Sequence, residues 1–172
     1  MKIYVTDRRR AGKMLMSTNT GPLITHLVSF GTWEREQRPP AGFYHHTCRK
    51  IRFQFDDIAR DADFGPYTPP MKEDIQNLIN FYNEEVFTHE DPVVLIHCFA
   101  GVSRSTAAAL ILLYMHIGDA TEAFDELMAI RPIASPNKRM VRFADEILEK
   151  DGEFFREVEY AKMVWTPEGM YK

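Results

Sequence analysis

Val93-Val94-Leu95-Ile96-His97-Cys98-Phe99-Ala100-Gly101-Val102-Ser103-Arg104-Ser105, running on to Ile117, decides how the chain folds. Val93 to Ile96 is a continuous apolar run introduced by Pro92, the pattern of a strand covered on both faces. Ser105 to Ile117 is apolar almost all round and closes on Gly118, which predicts a buried helix with a glycine cap. Between them lies His97 to Arg104. A strand, a tight loop and a helix N-terminus in that order form an anion site, because successive amides converge and the helix dipole adds positive potential. Gly101 permits the left-handed geometry such a cradle needs.

Outward from this centre, Ile24 to Phe30 reads as a strand bounded by Gly21-Pro22 and Gly31, leading into a loop over 37–42. Ile51, Phe53 and Phe55 alternate with Arg52 and Gln54 and end at Asp56-Asp57, a half-buried strand finishing in carboxylates. Ile3-Tyr4-Val5 predicts an edge strand that runs into a loop at Arg8-Arg9-Arg10. Asp57 to Pro70 is irregular and should be a surface loop. Pro69-Pro70 with Glu73-Asp74 opens a helix whose core face runs from Met71 to Val86. Asp119 with Glu122 starts another through Ile130, and Ser135-Pro136 one to about Glu149. A last helix over 153–164 should pack Phe155 and Val158. The expectation is an α/β layer fold, a central mostly parallel sheet of about four or five strands flanked by helices.

The chain has 172 residues, close to the usual size of one domain, and this length should bury about 70% of the unfolded surface. Its net charge of −4 gives no global attraction to nucleic acid or anionic lipid, so any anion must be captured locally. Cys48 and Cys98 are too few for a disulfide scaffold and fit a reducing compartment. Met1 to Met14 does not resemble a secretory signal, and Ala107 to Met115 is too short to span a membrane. These features predict a cytoplasmic protein with no membrane partner.

Chemistry centres on Cys98. The positive environment of the loop favours thiolate, which can lower a cysteine pKa from about 8.5 to about 3.5–7.5. Arg104, six positions on, can return its planar fork for bidentate bonds to two phosphate oxygens. Phosphate, sulfate and vanadate are the anions of suitable shape. C-x5-R alone is a weak signal; His97 before it, Gly101 within it and Ser105 after it make it specific.

His97-Cys98-Phe99-Ala100-Gly101-Val102-Ser103-Arg104-Ser105 resembles the signature loop of the cysteine-dependent protein tyrosine phosphatases, close to the compact dual-specificity branch. The resemblance spans about 24–149 and is nearest to small bacterial tyrosine phosphatases; residues 1–23 depart from the usual start. It implies a two-step phosphoryl transfer without metal or other cofactor, on a phosphorylated protein or peptide. Cys98 would attack phosphorus, and Arg104 with the amides of Phe99, Ala100, Gly101, Val102 and Ser103 would hold the equatorial oxygens. Asp57 is the first choice for the general acid, Asp56 the rival, with Asp61 and Asp63 behind. Strict alternation from Ile51 would turn Asp57 to the apolar side unless the strand ends before it. Ser105 is placed to bond the sulfur, or merely to cap the helix. His97 reads as a structural support, and Asn137 either orients the loop or water or starts a helix. A phosphoinositide or nucleotide phosphatase and a silent phosphopeptide-binding module are the alternatives.

Other features have plainer readings. Arg8-Arg9-Arg10 is a solvated patch or an attractor of acidic phosphopeptides. His45-His46-x-Cys48 lacks a second ligand pair and reads as a surface loop. A reversible Cys48–Cys98 disulfide would require the two to be close. Phe43, Tyr44, Phe64 and Tyr67 are candidates to stack on a phosphotyrosine ring.

Overall fold

The computed structural model describes residues 1–17, 23–33, 38–60 and 64–165. Asp61 and Asp63, and the bounding Gly21-Pro22, lie outside the described residues. The elements are β1 (Lys2–Asp7), α1 (Arg8–Met16), β2 (His26–Gly31), β3 (Arg49–Gln54), α2 (Lys72–Phe81), β4 (Val93–Cys98), α3 (Arg104–Ile117), α4 (Ala120–Ile130), α5 (Lys138–Ile147) and α6 (Glu153–Val164). A π-helical turn, Tyr82–Val86, extends α2. The strands form one parallel sheet in the order β1-β4-β2-β3. With every strand pointing the same way, Asp7, Gly31, Gln54 and Cys98 all end at one rim.

Strand β4 is central because nearly all of it can be buried: Val94, Leu95 and Ile96 are fully inaccessible. Its side chains alternate between faces, as the two-residue period of a strand requires. Val94, Ile96 and Cys98 join the larger core with α3 and its neighbours, while Leu95 joins a smaller one with Ala11, Leu15 and Leu27. The sheet therefore carries α1 on one face and the remaining helices on the other. Helix α3 lies at the centre of the larger core. Ala107 to Leu112 are wholly buried, and Gly118 ends it at φ 87° with its amide on the Tyr114 carbonyl at 2.8 Å.

Several expectations need correction. The loop expected after β1 is a helix. Asp7 caps α1 by accepting the Arg10 amide at 2.9 Å, and Ala11 and Leu15, four apart, bury the one face that matters. Only two buried side chains set among cations mark this face, which is too sparse a pattern to read. Met71 is not core; it is 47% exposed at the N-cap of α2, where Asp74 accepts its amide at 2.8 Å. The cap of α5 is Asn137, not Ser135. In α6 the buried residues are Phe154, Val158 and Ala161, with Phe155 only partly covered.

A Cys48–Cys98 disulfide is excluded by register. His26 pairs with both Arg49 and Val94, so Cys48 sits level with Val93. At roughly 3.3 Å per residue, Cys98 lies some 16 Å further along the sheet, whereas a disulfide requires Cα atoms within about 7 Å. Burial pushes the Cys48 thiol above its ordinary value, which keeps it protonated and inert.

Leu110→Ala tests the central role of α3. Deleting a wholly buried leucine side chain there should cost about 2–5 kcal/mol, read as a lower midpoint in urea unfolding at unchanged slope.

Candidate active site

Cys98 is the last residue of β4, only 2% exposed. Its Sγ accepts the Gly101 amide at 3.2 Å and stands 3.1 Å from Ser105 Oγ. Ser105 lies inside the first turn of α3, and its hydroxyl meets sulfur; Ser103 occupies the cap position. The backbone around Sγ is shaped from outside. The Phe99 carbonyl accepts the Arg8 amide (3.3 Å), and Arg131 takes those of Ala100 (3.2 Å, Nη2) and Gly101 (2.9 Å, Nε). The Val102 carbonyl accepts the Ser135 amide (2.8 Å) and the Thr106 hydroxyl. That of Ser103 accepts Thr106 Oγ1 and the Ala107 amide, both at 2.9 Å. A peptide plane whose carbonyl is tied outward presents its N–H to the opposite side. From Phe99 to Ser103 the carbonyls are all engaged, which favours amides of the same planes turned toward Sγ, as that of Gly101 is.

Gly101 adopts φ 69°, and a Cβ there would come within 2.5 Å of the Thr6 carbonyl carbon. The end of β1 thus forms the wall behind the loop, and only glycine fits against it. Arg104 is 4% exposed, its Nη1 donating to the carbonyls of Phe55 (2.7 Å) and Gly31 (3.2 Å). These carbonyls lie at the ends of β3 and β2, so the guanidinium plane is fixed by the rim of the sheet.

The two rival aspartates part company. Strand β3 stops at Gln54, so the alternation that would have turned Asp57 inward lapses. Asp56 is tied to the Thr68 backbone through both its amide and its Oδ2, which accepts the Thr68 amide at 2.9 Å. Asp57 is exposed and reaches the loop: its Oδ1 accepts Ser103 Oγ (2.6 Å) and Asn137 Nδ2 (2.7 Å). Asn137 starts the helix, and its side chain reaches Asp57 as well. Its Oδ1 caps α5 on the amides of Arg139 and Met140 while its Nδ2 holds Asp57 and the Ile58 carbonyl.

His97 is wholly buried and faces Ser29 Oγ through Nε2 at 2.8 Å; Ser29 in turn accepts Arg52 Nη1 at 2.6 Å. Burial, aided by the charges of Arg52, Arg8 and Arg104 and opposed by the Cys98 carbonyl, lowers its pKa to about 4. The imidazole is therefore neutral near pH 7, and its contact with Ser29 ties β4 to β2. Of the aromatic candidates, Phe43 is buried and Phe64 lies under the Arg139 guanidinium, 5.2 Å from it. Tyr44 and Tyr67 are exposed. Sequence reasoning missed Arg131, Thr106 and the Ser29–Arg52 pair. Arg131 ends α4, thirty residues from the carbonyls it holds, and nothing local marks it.

The molecule shares its fold with solved dual-specificity phosphatases. Human DUSP28 is 18% identical with TM-score 0.59, matching 86% of this chain and 94% of its own. PTPMT1, also solved in complex with PI(5)P, is 16% identical with TM-score 0.61, over 88% and 95%. Human tyrosine phosphatase-like serine/threonine/tyrosine-interacting protein is 18% identical with TM-score 0.56, over 74% and 78%. No protein-family model and no curated protein matches the sequence. At these identities the likeness establishes a shared fold.

Arg131→Ala releases two loop carbonyls without touching the hollow. Vanadate or sulfate binding should weaken by about tenfold as the loop loses its support, and the thermal midpoint should fall by several degrees, since one charge-assisted bond is worth roughly 1.5–3 kcal/mol; calorimetric titration and a thermal melt measure the two. His97 predicts a pH effect. Its folded value, about 4, is below the ordinary 6.5, so the unfolded chain binds the extra proton. The stabilisation, at most roughly 3 kcal/mol, is complete above pH 6.5. It declines as pH falls and is gone below about 4. Urea unfolding of His97→Asn across pH 7 to 5 should show a shallower decline than the parent.

Proposed function

We propose that the chain is a cysteine-dependent phosphatase that hydrolyses phosphotyrosine in proteins, and also phosphoserine or phosphothreonine where the hollow admits them. One observation carries this reading: a lone sulfur accepts the Gly101 amide within a loop whose carbonyls are all engaged elsewhere, beside an anchored guanidinium and a carboxylate held on the loop by Ser103. A binder of phosphopeptides would need the loop but not the sulfur.

In the first step the Cys98 thiolate attacks phosphorus in line with the ester oxygen. The P–O bond breaks, and the leaving oxygen takes a proton from Asp57. The amides and Arg104 hold the equatorial oxygens where charge spreads. In the second step Asp57 takes a proton from water, which attacks the phosphocysteine. The S–P bond breaks, phosphate departs and Ser105 donates a hydrogen bond to the leaving sulfur. Ser103 and Asn137 position Asp57 for both transfers. Each participant belongs to the chain itself, so no metal or cofactor is called upon. The two isolated thiols fit a reducing cytoplasm.

The PI(5)P complex of PTPMT1 raises a phosphoinositide as the second reading. Phe99, Ala100, Val102 and Ser103 carry no charge, which favours a phosphoprotein, since a headgroup with several phosphates calls for cations within the loop.

Purified protein should hydrolyse an aryl phosphate in the presence of a chelator. Cys98→Ser should abolish this, and Arg104→Lys should lower kcat by about 10²–10³ through lost bidentate geometry. Asp57→Asn should slow turnover by roughly 10²–10⁴ with poor leaving groups and far less with good ones. Mass spectrometry of enzyme quenched during turnover should find phosphate on Cys98; its absence overturns the mechanism.

A further inference from the structure

The arginines after β1 have one evident task near the loop, the bond from the Arg8 amide to Phe99. Their side chains have another setting. Arg8, Arg9 and Lys13 on α1 face Arg38 across a cleft of about 670 Å³. Its walls are held together by the close approach of Gly12 to Ala41, where a Cβ on the glycine would lie 3.0 Å from the Ala41 nitrogen. Among the described residues no carboxylate lines the cleft, and Arg9, Lys13 and Arg38 form no ion pair. Asp7, the nearest acid in sequence, is engaged with the Arg10 amide. In a chain of net charge −4 this is, among the described residues, a concentration of positive charge, and such a cleft draws anions.

Its position relates it to Cys98. Asp7 pairs with Cys98 across the β1–β4 ladder, and the Arg8 guanidinium lies 5.9 Å over the Phe99 ring. One strand spacing and a turn of helix put Arg8 and Arg9 on the order of 10 Å from the sulfur, with Lys13 about another turn beyond. That separation exceeds what neighbouring phosphates on one ring would span, and corresponds to about three residues of extended chain. The remaining walls are Pro39, Pro40 and Met16, apolar surfaces that suit a peptide better than a hydrated polyphosphate.

We propose that this cleft is a specificity subsite for a second acidic group in a polypeptide substrate: an aspartate, glutamate or further phosphorylated residue about three positions from the one dephosphorylated. The inference rests on the phosphatase reading above and names the substrate class for it.

The test compares two phosphotyrosyl peptides, one with acidic residues three positions to either side and one with glutamines there. They are given to the parent and to the Arg9→Ala/Lys13→Ala/Arg38→Ala variant. The parent should favour the acidic peptide about tenfold in kcat/KM, through KM, with the preference shrinking as salt is added. The variant should treat both alike while hydrolysing aryl phosphate as the parent does. Retention of the preference overturns the proposal, as does an equal loss on aryl phosphate. Intact peptide preference with lost turnover of a soluble bisphosphorylated inositol headgroup also overturns it, and assigns the cleft to phosphoinositides. Fluorescence anisotropy of the same peptides on Cys98→Ser, with and without the triple substitution, separates the two readings. An affinity gap that the substitution closes upholds the subsite even if the enzyme turns nothing over.

Discussion

The orientation of the peptide planes between Phe99 and Ser103 governs this molecule. Left alone, a loop of this length would scatter its amides and carbonyls. Here Arg8, Arg131, Ser135, Thr106 and Ala107 seize the carbonyls from outside. The amides are left free of the carbonyls' partners, and that of Gly101 turns to the sulfur of Cys98. Thr106 and Ala107 belong to the first turn of α3, but Arg8, Arg131 and Ser135 come from distant parts of the chain, so the cradle is complete only when the start of α1, the end of α4 and the segment before α5 are docked. Arg131 does the most with one side chain, since its fork spans two adjacent carbonyls.

A parallel sheet supplies the second requirement. All strand C-termini meet at one rim, where the Gly31 carbonyl takes the Phe55 amide and still has a lone pair to offer. The carbonyls of Gly31 and Phe55 are put to use on Arg104, which fixes a flexible side chain at the mouth of the loop. The same rim holds His97 in the dry interior, where burial keeps the imidazole neutral. A charged imidazole next to Arg104 would add repulsion where the fold concentrates positive potential. Support for the sulfur is thus uncharged, and adds nothing to the repulsion around Arg104.

The amino-terminal segment shows how one element can serve two ends. The end of β1 presses against Gly101 closely enough to exclude any side chain, and so shapes the loop from behind. Helix α1 then carries its cations along the lip of the site. Its apolar face is only Ala11 and Leu15, anchored on Leu27 and Leu95, which leaves the opposite face to charge. This economy made the helix hard to foresee: the run of arginines dominates the local pattern, and the two buried positions are too few to set a period against it.

Local sequence determined the strand, loop and helix around Cys98, because each follows from interactions within a few residues: a dry β-branched run, a glycine at positive φ and an apolar helix closed by Gly118. It also limited the candidate acid to Asp57, Asp56, Asp61 and Asp63. Tertiary structure decided the rest. The end of β3 freed Asp57 from the strand's alternation, and docking of α5 brought Asn137 beside it, while Asp56 went to Thr68. Arg131 reached the loop across thirty positions, and register placed Cys48 at the far end of the sheet from Cys98. The physical reason is the same in each case. A hydrogen bond or a separation between distant segments is set by how whole elements pack, and no short window of sequence contains that information.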